Sequence, residues 1–352
     1  MDHPEVENLK IAHILPEFHE GGVERHVLWL SNELAGMGHH VTVITAGGKL
    51  EEQLDPEVEI WRLPVHRKNP VTGLYSALKV ADRAKREGWD ILHAHSRVPA
   101  WIAWWASRLS GIPFVLTAHA LLRKNKALIP FSRAGYVICV SEAVRDHMLS
   151  IIRGPSRTIL NGLQPLEVSW GKKKCSEGVT QFLFVGRLSK GKGLHILLEA
   201  LGQLSRNDWV LDVVGDGPQR AELEEQAQRL SLADKVFFHG FQDSPDIWMS
   251  KCSCFLFPSL EEGMGLTLMR AVQMGVPALA SDIPSVRELL LDSTSPLITP
   301  TASEWRKALS RALSEQGSFL FPAFSKDKIL STREMARKVL DSYYCVIQNI
   351  KK

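Results

Sequence analysis

The sequence predicts an α/β protein of two domains, each built on a parallel sheet that helices cover on both faces. Two alternating series of apolar strand segments and amphipathic helix segments indicate this fold class, one over residues 10–161 and another over residues 181–282. A polar stretch without periodicity, residues 166–178, separates the two series. The length of 352 residues is too great for one ordinary core and suits two such domains.

Composition narrows the classes of function. The formal charge of +3 and the pI near 8.5 are only mildly basic, so they do not favour a nucleic-acid partner. The N-terminus shows no signal-peptide pattern, and no apolar stretch reaches the roughly 18 residues of a spanning helix. The five cysteines lie mostly in apolar segments, and Cys252 and Cys254 have no second ligand pair nearby. We expect a cytoplasmic protein with reduced thiols and no zinc site.

The first series contains six expected strands with helices between them. Strands are expected at residues 10–15, 40–45, 58–63, 91–93, 113–117 and 136–140. Helices are expected on the apolar face that runs from Val23 to Leu34, at residues 72–87 and 99–109, and from the N-cap Ser141 to Met148. Because strands and helices alternate, the sheet is expected to be parallel.

Ligands of parallel sheets bind beyond the carboxyl ends of the strands, so the polar residues there are candidates for a site. In the first series these residues are Gly21, Gly22, His93, His95, His119 and Asn161. Other interpretations are open for some of them. Gly21 and Gly22 also fit a plain turn, and His93 also fits a hydrogen-bonded core residue.

The second series repeats the alternation. Strands are expected at residues 181–185, 210–214, 236–238 and 254–257, and helices at 194–204, 218–230, 244–250, 303–314 and 326–350. The residues that follow its strands include Gly186, Arg187 and Lys192, and then His239 and Gly240. A solvated basic loop is the alternative interpretation of Arg187 and Lys192.

Residues 258–282 combine several chemical features in one strand, turn, helix and strand. Glu262 is followed by the turn Gly263, Met264 and Gly265, and Leu266 opens the helix. A glycine turn that leads into a helix leaves unpaired N–H groups and the positive end of the helix dipole at one point. The segment therefore predicts an anion site that suits a phosphate.

These motifs resemble those of glycosyltransferase family 4, retaining GT-B enzymes that take a sugar from a nucleotide-sugar. Glu262, Gly263 and Gly265 match the donor-binding signature, with Met264 where phenylalanine is usual. The signature has a second glutamate eight positions after the first, where this chain has Arg270. The loops with Gly21 and Gly22, with His93 and His95, with His119, with Asn161, and with Arg187 and Lys192 also resemble family landmarks.

The resemblance implies a GT-B fold, two Rossmann-like domains whose parallel sheets face a central cleft. It implies an acceptor-side domain at 1–165, a linker at 166–178, a nucleotide-sugar-binding domain at 179–325, and a C-terminal helix at 326–352 that returns to the first domain. The implied catalytic residues are His119, Arg187, Lys192 and Glu262. The implied donor-binding residues are Gly21, Gly22, Asn161, Gly186, His239, Gly240, Gly263, Met264, Gly265, Leu266 and Arg270. Two cations and a helix N-terminus can stabilise a departing diphosphate, so no metal or other cofactor is expected.

The acceptor side of such an enzyme is expected in the first domain. Residues 120–133 are both basic and apolar. Arg123, Lys124 and Lys126 are interleaved there with apolar residues such as Leu122 and Leu128. This composition fits an inner-leaflet membrane surface or a phosphorylated, lipid-linked acceptor. A solvent-facing basic loop that packs its leucines inward fits equally well.

The functional expectation is a retaining glycosyltransferase that moves a sugar from a nucleotide-sugar to a glycan or glycolipid acceptor in bacterial cell-envelope, lipopolysaccharide or polysaccharide synthesis. We expect it in the cytoplasm or peripherally on the inner membrane face. Two alternatives stay open. Arg270 favours a catalytically impaired protein that binds a sugar nucleotide or a partner enzyme, and the fold also accommodates a sugar-nucleotide epimerase.

Overall fold

The chain divides into two compact units. The structure, a computed structural model, describes residues 8–171, 178–291, 296–314 and 321–351. One unit contains Met1–Gln164 and Leu330–Lys352, and the other contains Pro165–Ile329. Each unit has a parallel sheet, which confirms the predicted class of two Rossmann-like domains. Much of the expected linker, residues 172–177 with Cys175, lies outside the described residues.

The first unit is built on a parallel sheet in which seven of the described strands take part, in the order β3-β2-β1-β4-β5-β6-β7. These strands are β1 (Lys10–Ile14), β2 (His40–Thr45), β3 (Glu59–Arg62), β4 (Ile91–Ala94), β5 (Phe114–Ala118), β6 (Tyr136–Cys139) and β7 (Ser156–Thr158). The connecting helices are α1 (Gly22–Ala35), α2 (Pro70–Glu87), α3 (Arg97–Ser110) and α4 (Glu142–Met148). The predicted strands and helices of this half agree with the structure to within a few residues.

Local signals account for the ends of these helices. The Asn69 side chain accepts a hydrogen bond from the backbone N–H of Val71 at 2.9 Å, and Pro70 occupies the first turn of α2. Gly88 ends α2 in the left-handed conformation, with φ +64°. The Ser141 hydroxyl caps α4 by accepting a hydrogen bond from Val144 N at 3.2 Å.

The C-terminal helix belongs to the first unit, and its predicted start is wrong. Helix α11 is Thr332–Lys351, whereas residues 326–328 form a 3-10 turn. A capping box sets the true start: Ser331 Oγ accepts from Glu334 N at 3.2 Å, and Glu334 Oε2 accepts from Ser331 N at 2.8 Å. Just before the helix, β14 (Leu330–Ser331) pairs with β8 (Gly162–Leu163). Tyr343 and Val346 of α11 are buried in the core of the first unit.

The second unit has a parallel sheet of five described strands in the order β11-β10-β9-β12-β13. They are β9 (Thr180–Val185), β10 (Trp209–Val214), β11 (Val236–Gly240), β12 (Cys254–Phe257) and β13 (Ala278–Ala280). The helices are α5 (Leu194–Leu201), α6 (Arg220–Arg229), α7 (Pro245–Met249), α8 (Leu266–Met274), α9 (Pro284–Arg287) and α10 (Ala302–Ser314). Among the described residues, no helix combines the length and the apolar character needed to cross a bilayer.

We predict that Tyr343→Phe destabilises the protein. The Tyr343 hydroxyl lies 2.6 Å from Nδ1 of His93, and both residues are fully buried. Removing the hydroxyl leaves a buried ring nitrogen without its partner. We therefore expect the free energy of unfolding, measured by urea titration, to fall by about 1–3 kcal/mol. Tyr75→Phe is the control, because Tyr75 is half exposed, and we expect it to cost less than about 0.5 kcal/mol. Equal effects of the two variants would contradict the prediction.

Candidate functional site

In the second unit, the candidate residues follow two neighbouring strands. The order of the sheet reverses between β9 and β12, and α/β proteins bind ligands beyond the carboxyl ends of the strands at such a reversal. The loop after β9 contains Arg187 and Lys192, and the loop after β12 contains Glu262. The fold therefore brings the two expected anion-binding loops to adjacent strands.

The two loops are joined through their backbones. Leu260 N donates a hydrogen bond to the carbonyl of Gly191 at 2.8 Å. Gly193 has φ +70°, and a Cβ at this position would lie 1.9 Å from the carbonyl oxygen of Pro258. Only glycine permits both the left-handed backbone and this close approach. Gly193 thus packs the Lys192 loop directly against the start of the Glu262 loop.

Lys192 and Glu262 form an ion pair across these loops. Lys192 Nζ donates to Glu262 Oε1, which also accepts from Ser259 Oγ at 3.0 Å. The lysine side chain is 28% exposed and the glutamate side chain 12%. Because an ammonium group has three donor hydrogens, Lys192 can contact an arriving anion without releasing Glu262. The pair therefore places a fixed positive group at the edge of the loop.

Helix α8 begins four residues after Glu262, and the residue before it has a conformation that requires glycine. Gly265 has φ +75°, and a Cβ there would lie 2.9 Å from Cζ of Phe257. Met264 is buried, and Leu266 is the first helical residue. The first N–H groups of a helix have no partner within it, and the helix dipole favours an anion at this end.

Arg187 and Gly186 follow β9 directly. Gly186 N donates to the carbonyl of Val214 at 3.0 Å, and Gly215 approaches Gly186 so closely that a Cβ there would meet the Gly186 oxygen at 2.0 Å. The backbone at Arg187 is therefore anchored to the neighbouring strand, while its side chain is exposed.

Arg270 is engaged in local interactions on α8. Its guanidinium donates from Nε to Asp246 Oδ2 at 2.9 Å and from Nη1 to Gln273 Oε1 at 2.7 Å. Nη2 also donates to Asp246 Oδ2, and a longer bond of 3.4 Å runs from Nη2 to the carbonyl of Pro165. The arginine that replaces the family's second glutamate is thus neutralised by a carboxylate of α7.

His239 and Gly240 lie at the end of β11. His239 Nε2 is 2.6 Å from Asp212 Oδ1, and the ring packs against Trp248 with centroids 4.1 Å apart and the ring planes tilted by 38°. Gly240 has φ +69° and would bring a Cβ to 3.1 Å from Arg220 Nη1. Asp212 and Trp248 are not among the residues predicted from the sequence. The signal for Asp212 is a carboxylate within an otherwise apolar strand.

The first unit contains a cluster of five histidines at the carboxyl ends of β1, β4 and β5, again where the strand order reverses. His13 lies in β1, His93 in β4, His95 just after β4, His119 just after β5, and His26 in α1. His13 Nδ1 is 3.0 Å from His95 Nε2, and His95 Nδ1 is 3.2 Å from His119 Nε2. His13 and His26 are not among the residues predicted from the sequence. The sequence signal for His13 is a histidine within an otherwise apolar strand, and the signal for His26 is a histidine on an otherwise apolar helix face.

Removal from water keeps these imidazoles neutral. Burial lowers the pKa of His13 to about 3 and that of His26 to about 4. Burial also lowers the pKa of His93, His95 and His119 well below the usual value, and neighbouring histidines add to the effect. At neutral pH each ring therefore carries one N–H and one lone pair.

The other candidates of the first unit lie around this cluster or on the surface. Asn161 is buried and its Oδ1 lies 2.8 Å from His26 Nδ1. Gly21 precedes α1 with extended backbone, and Gly22 is the first residue of that helix. Arg123, Lys124 and Lys126 are exposed. Leu128 and Phe131 of the same segment are buried, so part of its apolar surface points inward.

Comparison with known proteins defines the class of this chain. Residues 20–165 match the family model described as Glycosyltransferase Family 4, and residues 171–320 match the model described as Glycosyl transferases group 1. With two Rossmann-like units of parallel strands, the chain is a glycosyltransferase of the GT-B class. The two matched ranges together cover most of the sequence. It belongs to glycosyltransferase family 4, as the resemblance predicted.

Relatives share about a quarter of their residues with it. An uncharacterized glycosyltransferase of Methanocaldococcus jannaschii is 26% identical over 80% of this chain and 83% of that one. Alpha-monoglucosyldiacylglycerol synthase of Streptococcus pneumoniae is 26% identical over 77% of this chain and 70% of its own. Among solved structures, a glycosyltransferase of Rickettsia africae has a TM-score of 0.82 at 23% identity, covering 98% of this chain and all of that one. HepE of Anabaena with UDP-glucose has a TM-score of 0.76 at 20% identity, covering 97% and 99%.

We predict that Gly193→Ala is more destabilising than Gly88→Ala. Both glycines have positive φ, near +70° and +64°, but a Cβ at residue 88 would meet no atom within 4 Å. Gly88→Ala should lower the free energy of unfolding by about 1–2 kcal/mol, because alanine disfavours the left-handed backbone. Gly193→Ala adds a collision with the Pro258 carbonyl, worth about 1–3 kcal/mol more. Urea unfolding of the two variants measures the difference, and equal costs would contradict the packing described here.

Proposed function

We propose that this glycosyltransferase moves a sugar from a nucleotide-sugar to a glycan or glycolipid acceptor with retention of configuration. The observation that carries the proposal is the pairing of Lys192 with Glu262 on two loops joined by backbone contacts. Three cationic features are available beyond β9 and β12: the Lys192 ammonium, the exposed Arg187 guanidinium and the N-terminus of α8. They suit the diphosphate of a nucleotide-sugar.

In the proposed mechanism, charge develops on the diphosphate as the bond to the sugar breaks. Lys192 and Arg187 stabilise that charge, together with the N–H groups after Gly265. The family resemblance assigns contacts with the sugar to Glu262 and to His119. The acceptor oxygen forms its bond to the sugar on the face that the leaving diphosphate vacates, and the hydroxyl proton passes to that diphosphate. The proposal requires no metal, because the protein supplies the positive charge itself. Retention of configuration is taken from the family resemblance.

Named relatives support the choice of donor and acceptor class. The structure of HepE with UDP-glucose supports a uridine diphosphate sugar as donor. Structures described as a lipopolysaccharide outer core galactosyltransferase and as WaaG, a glycosyltransferase involved in lipopolysaccharide biosynthesis, have TM-scores of 0.68 and 0.69. With the S. pneumoniae glycolipid synthase, they support an acceptor of the bacterial cell envelope.

Arg270 supports a second candidate, a protein that binds a sugar nucleotide but has lost transfer. The family resemblance implies a glutamate at this place for holding the ribose of the nucleotide, whereas here Arg270 forms an ion pair with Asp246. Calorimetric titration with a panel of nucleotide-sugars, followed by product analysis with and without acceptor, separates the candidates. Binding without turnover supports the impaired protein, an epimerised donor without acceptor supports an epimerase, and release of nucleoside diphosphate supports the transferase.

We predict that Lys192→Ala lowers donor turnover about 100- to 1,000-fold, because it removes a charge that acts on the leaving diphosphate. The readout is nucleoside diphosphate released from the donor found by calorimetry, with EDTA present. Lys190→Ala is the matched control, since Lys190 is an exposed lysine of the same loop. If Lys192→Ala releases diphosphate as fast as the parent protein, the assigned role of Lys192 is wrong.

We further propose that the first unit docks on an anionic membrane through α2. Four apolar residues, Val71, Leu74, Tyr75 and Leu78, are 48–77% exposed and share one helix face by their spacing. The opposite side of α2 packs on α3, where Gly73 approaches Trp105. Leu74 and its neighbours thus form an apolar stripe that this unit leaves uncovered.

One basic residue of α2 lies against this stripe, and a basic loop lies on the neighbouring helix α3. Lys79 Nζ lies 5.9 Å from the ring centre of Tyr75. The loop with Lys124 and Lys126 is attached to α3, where Trp101 Nε1 donates to Ala127 O at 3.0 Å. An apolar helix face with cations beside it is typical of helices that lie in the interface of an anionic leaflet. An acceptor carried by a lipid would be presented at such a surface.

We predict that Leu74→Gln with Leu78→Gln weakens sedimentation with vesicles containing phosphatidylglycerol about tenfold or more, since each leucine loses buried apolar area. The double substitution Lys124→Gln with Lys126→Gln should weaken the free energy of vesicle binding by about 2 kcal/mol at low salt. Ile247→Gln is the control, because Ile247 is equally exposed in the second unit. Equal vesicle binding by all of these proteins would refute the docking surface.

A further inference from the structure

The five-histidine cluster has ring nitrogens close enough to share an ion. Two overlapping triads meet this condition: His13 with His93 and His95, and His26 with His95 and His119. In each triad, one nitrogen from every ring lies within 4.8 Å of the others. Tetrahedral zinc with bonds of 2.0–2.1 Å places its ligand nitrogens about 3.4 Å apart.

Hydrogen bonding distinguishes the two triads. Both nitrogens of His93 are already engaged, Nδ1 at 2.6 Å from the Tyr343 hydroxyl and Nε2 at 2.7 Å from Thr117 Oγ1. A metal at the first triad would have to displace one of these buried bonds. The second triad does not include His93. A metal there would replace only the hydrogen bond between His95 Nδ1 and His119 Nε2, and both of these nitrogens would become ligands.

His26 has the arrangement of a metal ligand. Its Nδ1 lies 2.8 Å from Asn161 Oδ1, and because an amide oxygen only accepts, Nδ1 carries the hydrogen. The lone pair is therefore on Nε2, which is buried and has no hydrogen-bond partner among the described residues. Metal-binding histidines almost always donate their other N–H to a carbonyl or carboxylate in this way.

His95 and His119 complete the triad. His95 Nδ1 and His119 Nε2 are 3.2 Å apart, close to the spacing of two zinc ligands. His95 Nε2 lies 3.0 Å from His13 Nδ1, so its N–H has an acceptor when Nδ1 provides the lone pair. His119 is partly exposed and offers a route from solvent. The burial that keeps these rings neutral also leaves their lone pairs available.

We propose that His26, His95 and His119 bind a divalent transition-metal ion of the zinc type through three imidazole nitrogens, with the remaining position open to solvent. Imidazole ligands suit Zn²⁺, Ni²⁺ and Cu²⁺, whereas Mg²⁺ and Ca²⁺ prefer oxygen. Asn161 and His13 orient the ligands from outside. In the proposed reaction, His119 contacts the donor sugar, so a bound ion withdraws it from catalysis. This last step rests on the proposed function and makes the ion an inhibitor.

Metal binding is tested on the full chain without substrate. After EDTA treatment and gel filtration, calorimetric titration with ZnCl₂ should show one site per chain, and Co²⁺ should give the intense visible absorption of four-coordinate cobalt. His26→Gln removes a ligand and should weaken binding more than tenfold. Asn161→Leu removes only the orienting acceptor and should weaken it about 10- to 100-fold. His40→Gln replaces an exposed histidine and should bind like the parent.

The outcomes separate this inference from the proposed transferase activity. Saturable binding that both His26→Gln and Asn161→Leu weaken supports the site, whether or not the chain turns over a donor. Absence of saturable binding by the parent overturns it, as does binding that neither variant affects or that His40→Gln abolishes. If the donor assay is active, Zn²⁺ should inhibit the parent at a concentration at least tenfold below that needed for His26→Gln.

Discussion

In a parallel sheet whose strand order reverses, connections on the two sides of the reversal leave toward opposite faces, and the chain leaves the space between them open. Both units of this protein depend on that constraint. In the second unit it lies between β9 and β12, and in the first between β1 and β4. Lys192 and Glu262 follow one pair of strands, and four of the five clustered histidines lie in or after strands beside the other reversal. The chemistry of each unit is concentrated where its topology leaves room.

In the second unit, two glycines fix the positions of the segments that form the candidate site. Gly193 and Gly265 adopt left-handed conformations in close contact with the backbone of Pro258 and the ring of Phe257. These contacts fix the loop bearing Lys192 and the start of α8 against the same strand end. The ion pair with Glu262 then holds the lysine in place before any ligand arrives, which lowers the entropy cost of binding an anion. Arg270 has an analogous local partner in Asp246, so its positive charge is compensated within the unit.

The clustered histidines of the first unit are neutral because they are largely buried, whereas the second unit places charged side chains in its candidate site. The hydrogen bonds of these imidazoles to one another and to Asn161, Thr117 and Tyr343 determine which nitrogens keep a lone pair. Tyr343 comes from the C-terminal helix, so the last segment of the chain helps to order residues from its beginning. The stripe on α2 shows the opposite arrangement, because apolar side chains are exposed to water there while polar rings are buried in the histidine cluster.

The sequence by itself determined the alternation of strands and helices, the two parallel sheets, and the loops after strands where glycine, Lys192, Glu262 and His119 stand. These depend on short-range periodicity and on residue types with strong local preferences. A local signal was also missed, the Ser331 and Glu334 capping box that starts α11.

Only the tertiary structure decided which side chains meet. His13, His26 and His95 are separated by up to 82 positions, and α2 carries apolar residues on its inner and outer faces alike. Asp212 and Trp248 reach His239 from separate elements. Sequence periodicity reports which face of an element is apolar, but not which distant element covers it, because that contact depends on strand order and helix packing across the whole unit.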